Sequence, residues 1–311
     1  MKKPIPTPLV FSRILLAYDE SMGSQIALEY ACALARAGAT LTIAHAIDES
    51  KIITSTTVVG TLANAGSTIV QGAIDACAKR AVVADRVVLR DSAAANIVAL
   101  QRARDFDLIV VGTHGRHGLP RAVLGSVAED VLRSSDVPVL VVTGYARSPR
   151  RDVPFSRALV ALDETDPSRT AMSVAALLAQ EMSMHLTLCN VIDSREFLKK
   201  AAAYGYDERP FETSMHAASL KLLENFANAS NMAAPIDDLV VAEGEPAVEI
   251  ENVALQRNCD LIIIGSHARH GLERLFLGSV AEAVVRDSSL PVLVSPASLQ
   301  VTGLTSGQIF Q

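Results

Sequence analysis

No apolar run in the 311 residues approaches the roughly 20 that a bilayer-spanning helix requires, although half of the residues are hydrophobic. Runs such as Leu108 to Val111 and Leu261 to Ile264 are short, which excludes a transmembrane segment. The start is basic, yet Pro4, Pro6, Pro8 and then Arg13 interrupt the stretch where a signal peptide needs a continuous apolar core, so a cytoplasmic location is expected. Cysteine is scarce. Cys32, Cys77, Cys189 and Cys259 stand far apart in apolar surroundings with no CxxC pair, which suits reduced core thiols and argues against disulfides. Positive charge is not in excess either: 28 Lys and Arg against 34 Asp and Glu leave a net charge of −6, so no basic field favours nucleic acid. A nucleophile elbow, paired acids and cysteine–histidine patterns are all missing, and with them the marks of dedicated catalysis.

What is present is a repeat. Ile14-Leu-Leu-Ala-Tyr-Asp19 returns as Ala158-Leu-Val-Ala-Leu-Asp163, 144 residues later. His45-Ala-Ile-Asp48 is answered by Asn190-Val-Ile-Asp193, and Leu108 to Gly112 by Leu261 to Gly265, by then 153 residues apart. The extra length is expected in an irregular loop over Ser194 to about Met215. The seam, Thr143 to Ser156, is rich in Pro and Arg and suits neither helix nor strand. It divides the chain into domains at 1–150 and 151–311.

Within each copy, short apolar runs alternate with segments of helical period, the pattern of parallel strands covered on both faces. In the first copy the strands read Ile14–Tyr18, Thr40–Ala46, Arg86–Leu89, Leu108–Gly112 and Val137–Val142. The first helix spaces Ile26, Ala27, Tyr30, Ala31 and Leu34 along one face and stops at Gly38. Others are predicted over Thr68–Val82, Ala94–Arg104 and Ser126–Ser134. The fold class is therefore α/β: two tandem, doubly wound, Rossmann-like open sheets, each of five parallel strands.

The densest chemical signal is Gly112-Thr-His-Gly115-Arg-His-Gly-Leu-Pro-Arg-Ala-Val-Leu-Gly125-Ser126, which leaves the fourth strand and ends where a helix begins. Ligands of such sheets bind beyond the carboxyl ends of the strands, and a helix start offers unpaired N–H groups and a positive dipole end. Glycines 112, 115 and 125 would let the main chain approach a polyphosphate, Ser126 would add a hydroxyl, and Arg116 and Arg121 supply charge. It is not a Walker loop, because Gly-Lys-Ser/Thr is absent. Ser126 with Glu129, and Ser279 with Glu282, also read as capping boxes. His114 and His117, like His267 and His270, lack the carboxylate or thiolate that would complete a metal shell.

On these residues the chain resembles the universal stress protein family in its tandem form, over nearly its whole length. The family's ATP-binding subset carries Gly-x2-Gly-x9-Gly-Ser/Thr, which Gly112, Gly115, Gly125 and Ser126 match in full. Both copies also carry a first-strand Asp before a polar helix start, Asp19-Glu-Ser21 and Asp163-Glu-Thr165. The resemblance implies strand order 3-2-1-4-5 and an ATP site in the first copy. Tyr18, Asp19, Ser21, Ala46 and Val111 would lie at the adenosine, with His114, Arg116 and Val127 flanking the phosphate loop and Mg or Mn held by the phosphates. It also implies an internal pseudo-dimer through the fifth strands, with a further homodimer compatible.

The second copy offers Asp163, Val191, Gly265, Gly278 and Ser279 but has Ala268 where the middle glycine belongs. A methyl there would crowd a phosphate and would strain a positive φ. The expected function is an ATP-binding stress-response protein with nucleotide as a regulatory ligand and slow hydrolysis at most. The alternative is a non-catalytic scaffold whose second domain binds a partner or a lipid-like ligand.

Overall fold

The computed structural model describes residues 10–47, 56–113, 124–149, 154–193, 209–229, 235–266, 277–297 and 299, with side chains at 56–65 and 209–212 left aside. The chain divides into two compact units, the bulk of the second running from Phe155. The boundary placed at Arg150 falls outside the described residues, as does the loop His114 to Val123.

The first unit runs β1 (Arg13–Ala17), α1 (Met22–Arg36), β2 (Thr40–Ile47), α2 (Thr56–Ala78), β3 (Ala84–Arg90), α3 (Ala93–Ala103), β4 (Leu108–Gly112), α4 (Ser126–Ser134) and β5 (Val139–Val142). The second repeats it with β6 (Arg157–Ala161), α5 (Asp166–Met182), β7 (His185–Ile192), α6 (Arg209–Ala229), β8 (Ile236–Glu243), α7 (Pro246–Gln256), β9 (Leu261–Gly265), α8 (Ser279–Asp287) and β10 (Val292–Ser295). All strand pairs within each unit are parallel. They give the order β3-β2-β1-β4-β5 in the first unit and β8-β7-β6-β9-β10 in the second.

Central strands are apolar without alternation because helices cover both faces. Ile14, Leu15, Leu16, Leu108, Ile109 and Val110 are fully buried, whereas the outer strand β3 leaves Asp85 and Arg86 exposed. Helix α1 buries Ala27, Leu28, Tyr30, Ala31 and Leu34 on one face. It ends through Gly38, whose φ of 123° and whose N–H, donated to the carbonyl of Ala35, complete a left-handed exit. Among the described residues no helix is long and apolar enough to cross a membrane.

A repeated clamp ties the opposite, amino-terminal edge of each sheet. Asp107, just before β4, accepts from the amide and hydroxyl of Ser12 (2.8 and 2.7 Å) and from the amide of Arg13 (2.9 Å). Asp260 does the same with Ser156 and Arg157. Each carboxylate thereby pins the start of one central strand to its neighbour.

Several sequence expectations need correction. Helix α2 begins at Thr56, three turns before the predicted Thr68; the low helix propensity of Thr56, Thr57, Val58 and Val59 hides this start from the sequence. It stops at Ala78 rather than Val82, since Ala81 adopts φ 58° and Val82 N–H turns back to the carbonyl of Cys77. The inserted stretch in the second copy is helical from Arg209 onward, while 194–208 lie outside the described residues. Strand β5 starts two residues late because the hydroxyl of Ser135 accepts from the amide of Val137 and holds a turn there.

Candidate functional site

Parallel pairing puts every strand's carboxyl end on one edge of its sheet. In the first unit Ala17 stands in register with both Ala44 and Val111, and Gly112 with Val142. Tyr18, Asp19, Ser21, Ala46, Val111, Gly112, Gly125, Ser126 and Val127 therefore gather at that edge, although they come from four stretches of chain. His114, Gly115 and Arg116 lie outside the described residues.

The exit of β1 is built by local hydrogen bonds. Tyr18 N–H donates to the carbonyl of Ala44 (2.9 Å), and the carbonyl of Tyr18 accepts from Nδ1 of His45 (2.8 Å). A carbonyl only accepts, so Nδ1 carries a proton. His45 thus ties the ends of β1 and β2 together. Glu20 takes φ 61°, which turns the chain, and Asp19 Oδ1 accepts from the amide of Ser21 (3.0 Å). Ser21 then caps α1, its hydroxyl accepting from the amide of Ser24 (3.2 Å). Asp19 is exposed at the lip of the edge while it organises this turn. Burial, then the negative charges of Glu20 and Asp19, push the Tyr18 phenol above its ordinary pKa, so it stays a neutral donor.

Gly112 has a packing reason of its own to be glycine. A Cβ there would lie 2.2 Å from the amide nitrogen of Ser24 and 2.4 Å from the carbonyl carbon of Gly23. The first turn of α1 occupies the space, and the reciprocal Cβ at Gly23 would strike the carbonyl oxygen of Thr113 at 2.1 Å. The glycine is required for helix-on-strand packing, before any phosphate is considered. Gly265 repeats this against Pro167, 2.5 Å from its carbonyl carbon.

The capping boxes are also corrected. The residue capping α4 is Gly125, with φ −60° and ψ 136° and no side-chain cap, and Ser126 is the first helical residue. Glu129, which would have closed the box, pairs with Arg133 instead. Helix α8 is the same, with Gly278 as cap (φ −63°, ψ 144°) and Ser279 first. The box fails because the cap sits one residue earlier than the spacing suggested. In consequence the capping residue itself offers no side chain to the leading N–H groups of α4, and among the described residues Ser126 is exposed beside them. In α5 Thr165 caps, Asp166 is first and Pro167 second.

The second unit rebuilds the edge with different side chains. Leu162 N–H donates to the carbonyl of Cys189 (2.9 Å), and Asn190, at the position of His45, donates from Nδ2 to the carbonyl of Leu162 (2.7 Å). Asp163 is drawn inward: its Oδ1 accepts from the amide of Thr165 (3.0 Å), the hydroxyl of Ser168 (2.6 Å) and the hydroxyl of Thr165. Asp163 and Val191 are half-buried, Gly265 is buried, and Gly278 and Ser279 open the helix beyond it. Ala268, His267 and His270 lie outside the described residues, and among the described ones no group of three His, Cys, Asp or Glu could hold a metal ion.

The model of the universal stress protein family matches twice, over residues 11–143 and 154–296. A universal stress protein of Mycobacterium tuberculosis is 29% identical over 199 residues, which are 63% of this chain and 64% of that relative. This chain thus aligns to just under two thirds of its length. Universal stress protein YxiE of Bacillus subtilis is 32% identical over 149 residues, covering 45% of this chain and 98% of its own. Among solved structures, a universal stress protein from Archaeoglobus fulgidus superimposes with a TM-score of 0.67 at 20% identity, covering 92% of this chain and 98% of that one. A putative one from Pseudomonas aeruginosa gives 0.58, also at 20%. At that identity the structural likeness concerns the fold alone.

Proposed function

We propose that this chain, which belongs to the universal stress protein family, is a stress-response protein whose amino-terminal unit binds ATP as a regulatory ligand. The observation that carries the reading is the start of α4. Its capping residue is a glycine that gives the leading amides no side-chain cap, its first residue presents an exposed hydroxyl, and it follows the edge where β4 ends. Such a helix start favours an anion by the direction of its N–H groups and of its dipole. Tyr18, Asp19 and Ala46, on neighbouring strand ends, would line the space for the nucleoside, and Mg or Mn would be held by the phosphates. Hydrolysis, where it occurs, is slow, because the reading assigns no base or nucleophile.

A second reading applies to the carboxyl-terminal unit. There Asp163 already accepts three hydrogen bonds on one oxygen, which favours a structural role over a sugar contact. We infer that this unit binds nucleotide weakly or serves another ligand or a partner.

Calorimetric titration of the full chain with Mg·ATP tests both readings. One strong site is expected, weakened about tenfold or more by Ser126→Ala, which removes a hydrogen bond to a charged group. Gly115→Ala is expected to weaken it too, with the fold intact. No heat of binding, together with no nucleotide released from the purified protein on heating, would overturn the ATP reading. Two equivalent sites would overturn the asymmetry.

A further inference from the structure

The first unit contains a thiol pair that the nucleotide reading does not use. Cys32 lies on the buried face of α1 and Cys77 in the last turn of α2, and both are fully buried. Their sulfurs are 3.3 Å apart, across a sequence separation of 45 residues. A disulfide needs a sulfur–sulfur distance of about 2.0 Å, so roughly 1.3 Å of closure would join them, a distance within reach of side-chain rotation and slight helix movement. The same two segments are already held by a second bond, the ion pair of Glu29 on α1 with Arg80 just after α2, at 2.8 Å. The second unit has no counterpart: Ala176 stands 144 residues after Cys32, and Cys189 and Cys259 lie on β7 and just before β9.

We propose that Cys32 and Cys77 form a reversible disulfide under peroxide stress, stapling α1 to α2 in the first unit only. Chemistry assigns the two sulfurs different roles. The hydrogen bond shared with Cys77, helped by the positive charges of Arg80 and Arg36, pulls the Cys32 thiol below its ordinary pKa against the opposing effect of burial. That same bond, with burial, pushes Cys77 up. The positive charges of both Arg36 and Arg80 act on Cys32 and that of Arg80 alone on Cys77, so in the proposed sequence Cys32 is the attacking thiolate and Cys77 the resolving thiol. In the first step Cys32 sulfur attacks one oxygen of hydrogen peroxide, the O–O bond breaks, and the departing hydroxide takes a proton to become water, leaving a sulfenic acid on Cys32. In the second, Cys77 sulfur attacks the Cys32 sulfur, the S–O bond breaks, and the hydroxide leaves as water with the proton of Cys77. Two thiols lose two electrons and two protons, and one peroxide becomes two waters. The complete burial of both sulfurs favours an oxidant as small as peroxide over a bulky disulfide.

Peptide mapping of the full-length protein by mass spectrometry, after hydrogen peroxide and then alkylation without reductant, tests this directly. The expected result is a cross-linked pair of peptides holding Cys32 and Cys77, lighter by about 2 Da than the sum of the reduced peptides. Cys189 and Cys259 should remain alkylatable, and dithiothreitol should restore all four thiols. In Cys77→Ala the same treatment should leave a sulfenic acid on Cys32 that dimedone traps. In Cys32→Ala, Cys77 should stay reduced. If the variants fail to fold, the map of the unsubstituted protein decides alone. Four intact thiols after peroxide, a cross-link between other cysteines, or oxidation of Cys32 that stops at a sulfinic acid without cross-linking would overturn the proposal.

Discussion

Replacing Gly112 by alanine separates two explanations of the same glycine. If it were there only to let a phosphate approach, Gly112→Ala would weaken binding and leave stability alone. The structure predicts the reverse emphasis. The new methyl would sit 2.2–2.6 Å from the amide nitrogen and Cα of Ser24 and the carbonyl carbon of Gly23, all of them main-chain atoms at the first turn of a 15-residue helix. Relief requires about 1 Å of movement between α1 and β4, whose contact sits over the fully buried run Leu108 to Val110. Overpacking of this kind costs about 1–3 kcal/mol, and contact with backbone, which has no rotamer to change, places it at or above the upper end. For a unit of roughly 150 residues, about 3 kcal/mol lowers the melting temperature by roughly 6–12 °C. Differential scanning calorimetry without nucleotide is the assay, with Gly72→Ala as control. That glycine is exposed in the middle of α2 and a Cβ on it would meet nothing within 4 Å, so alanine should stabilise by about 0.5–1 kcal/mol. A melting temperature for Gly112→Ala within about 2 °C of the parent would refute the packing argument.

The architecture was legible because the chain says it twice. A motif such as Leu-Leu-Ala-Tyr-Asp followed by a polar helix start is weak alone, but its return 144 residues later fixes strand, turn and helix at once. What stayed hidden was decided by contacts distant in sequence. Thr56 to Val59 look non-helical, yet they belong to α2, a helix that as a whole packs against β2 and β3. The cap of α4 fell on Gly125 instead of Ser126, a shift of one residue that no local preference predicted.

The site was legible as a place more than as a set of causes. Glycine at 112 was visible, and its position at a strand end was correctly read, but the atoms that demand it belong to Gly23 and Ser24, 88 or more residues earlier. His45 stands in the sequence only as one end of the repeated His45 to Asp48 stretch. The structure finds it half-buried, with its Nδ1 joining two strand ends, a task that Asn190 performs in the other copy. Exchange of His for Asn at matched positions was the available clue, since both can aim an N–H at the same carbonyl. The clamp of Asp107 on Ser12 and Arg13 was missed, although its recurrence as Asp260 with Ser156 and Arg157 was a signal the repeat could have supplied. Cys32 and Cys77 gave no such sign, because two cysteines 45 residues apart carry no spacing rule.

Asp107→Asn keeps the shape of the clamp but weakens hydrogen bonds that a charge assists, so a loss of about 1–2 kcal/mol in urea unfolding is expected, with nucleotide affinity unchanged because the clamp lies at the opposite edge. An unchanged midpoint would show that solvent replaces those bonds at no cost. The remaining prediction concerns alkaline pH and rests on Cys189, whose thiol burial pushes up to about 12 from an ordinary value near 9. The folded state keeps this proton where the unfolded state has lost it, so the unfolded chain binds fewer protons between those two values and stability falls as pH rises. The contribution is intact below pH about 9 and disappears progressively up to about 12, with a limiting slope near 1.4 kcal/mol per pH unit. Cys259, pushed up to about 11 mainly by burial, adds to the fall over a narrower window. Unfolding midpoints measured from pH 8 upward should therefore drop more steeply in the parent than in Cys189→Ala. That variant has a slightly lower plateau, from the lost sulfur contacts, but one titration fewer. Parallel curves for the two proteins would mean that the thiol ionises within the folded core at no cost, and the burial argument for Cys189 would fail.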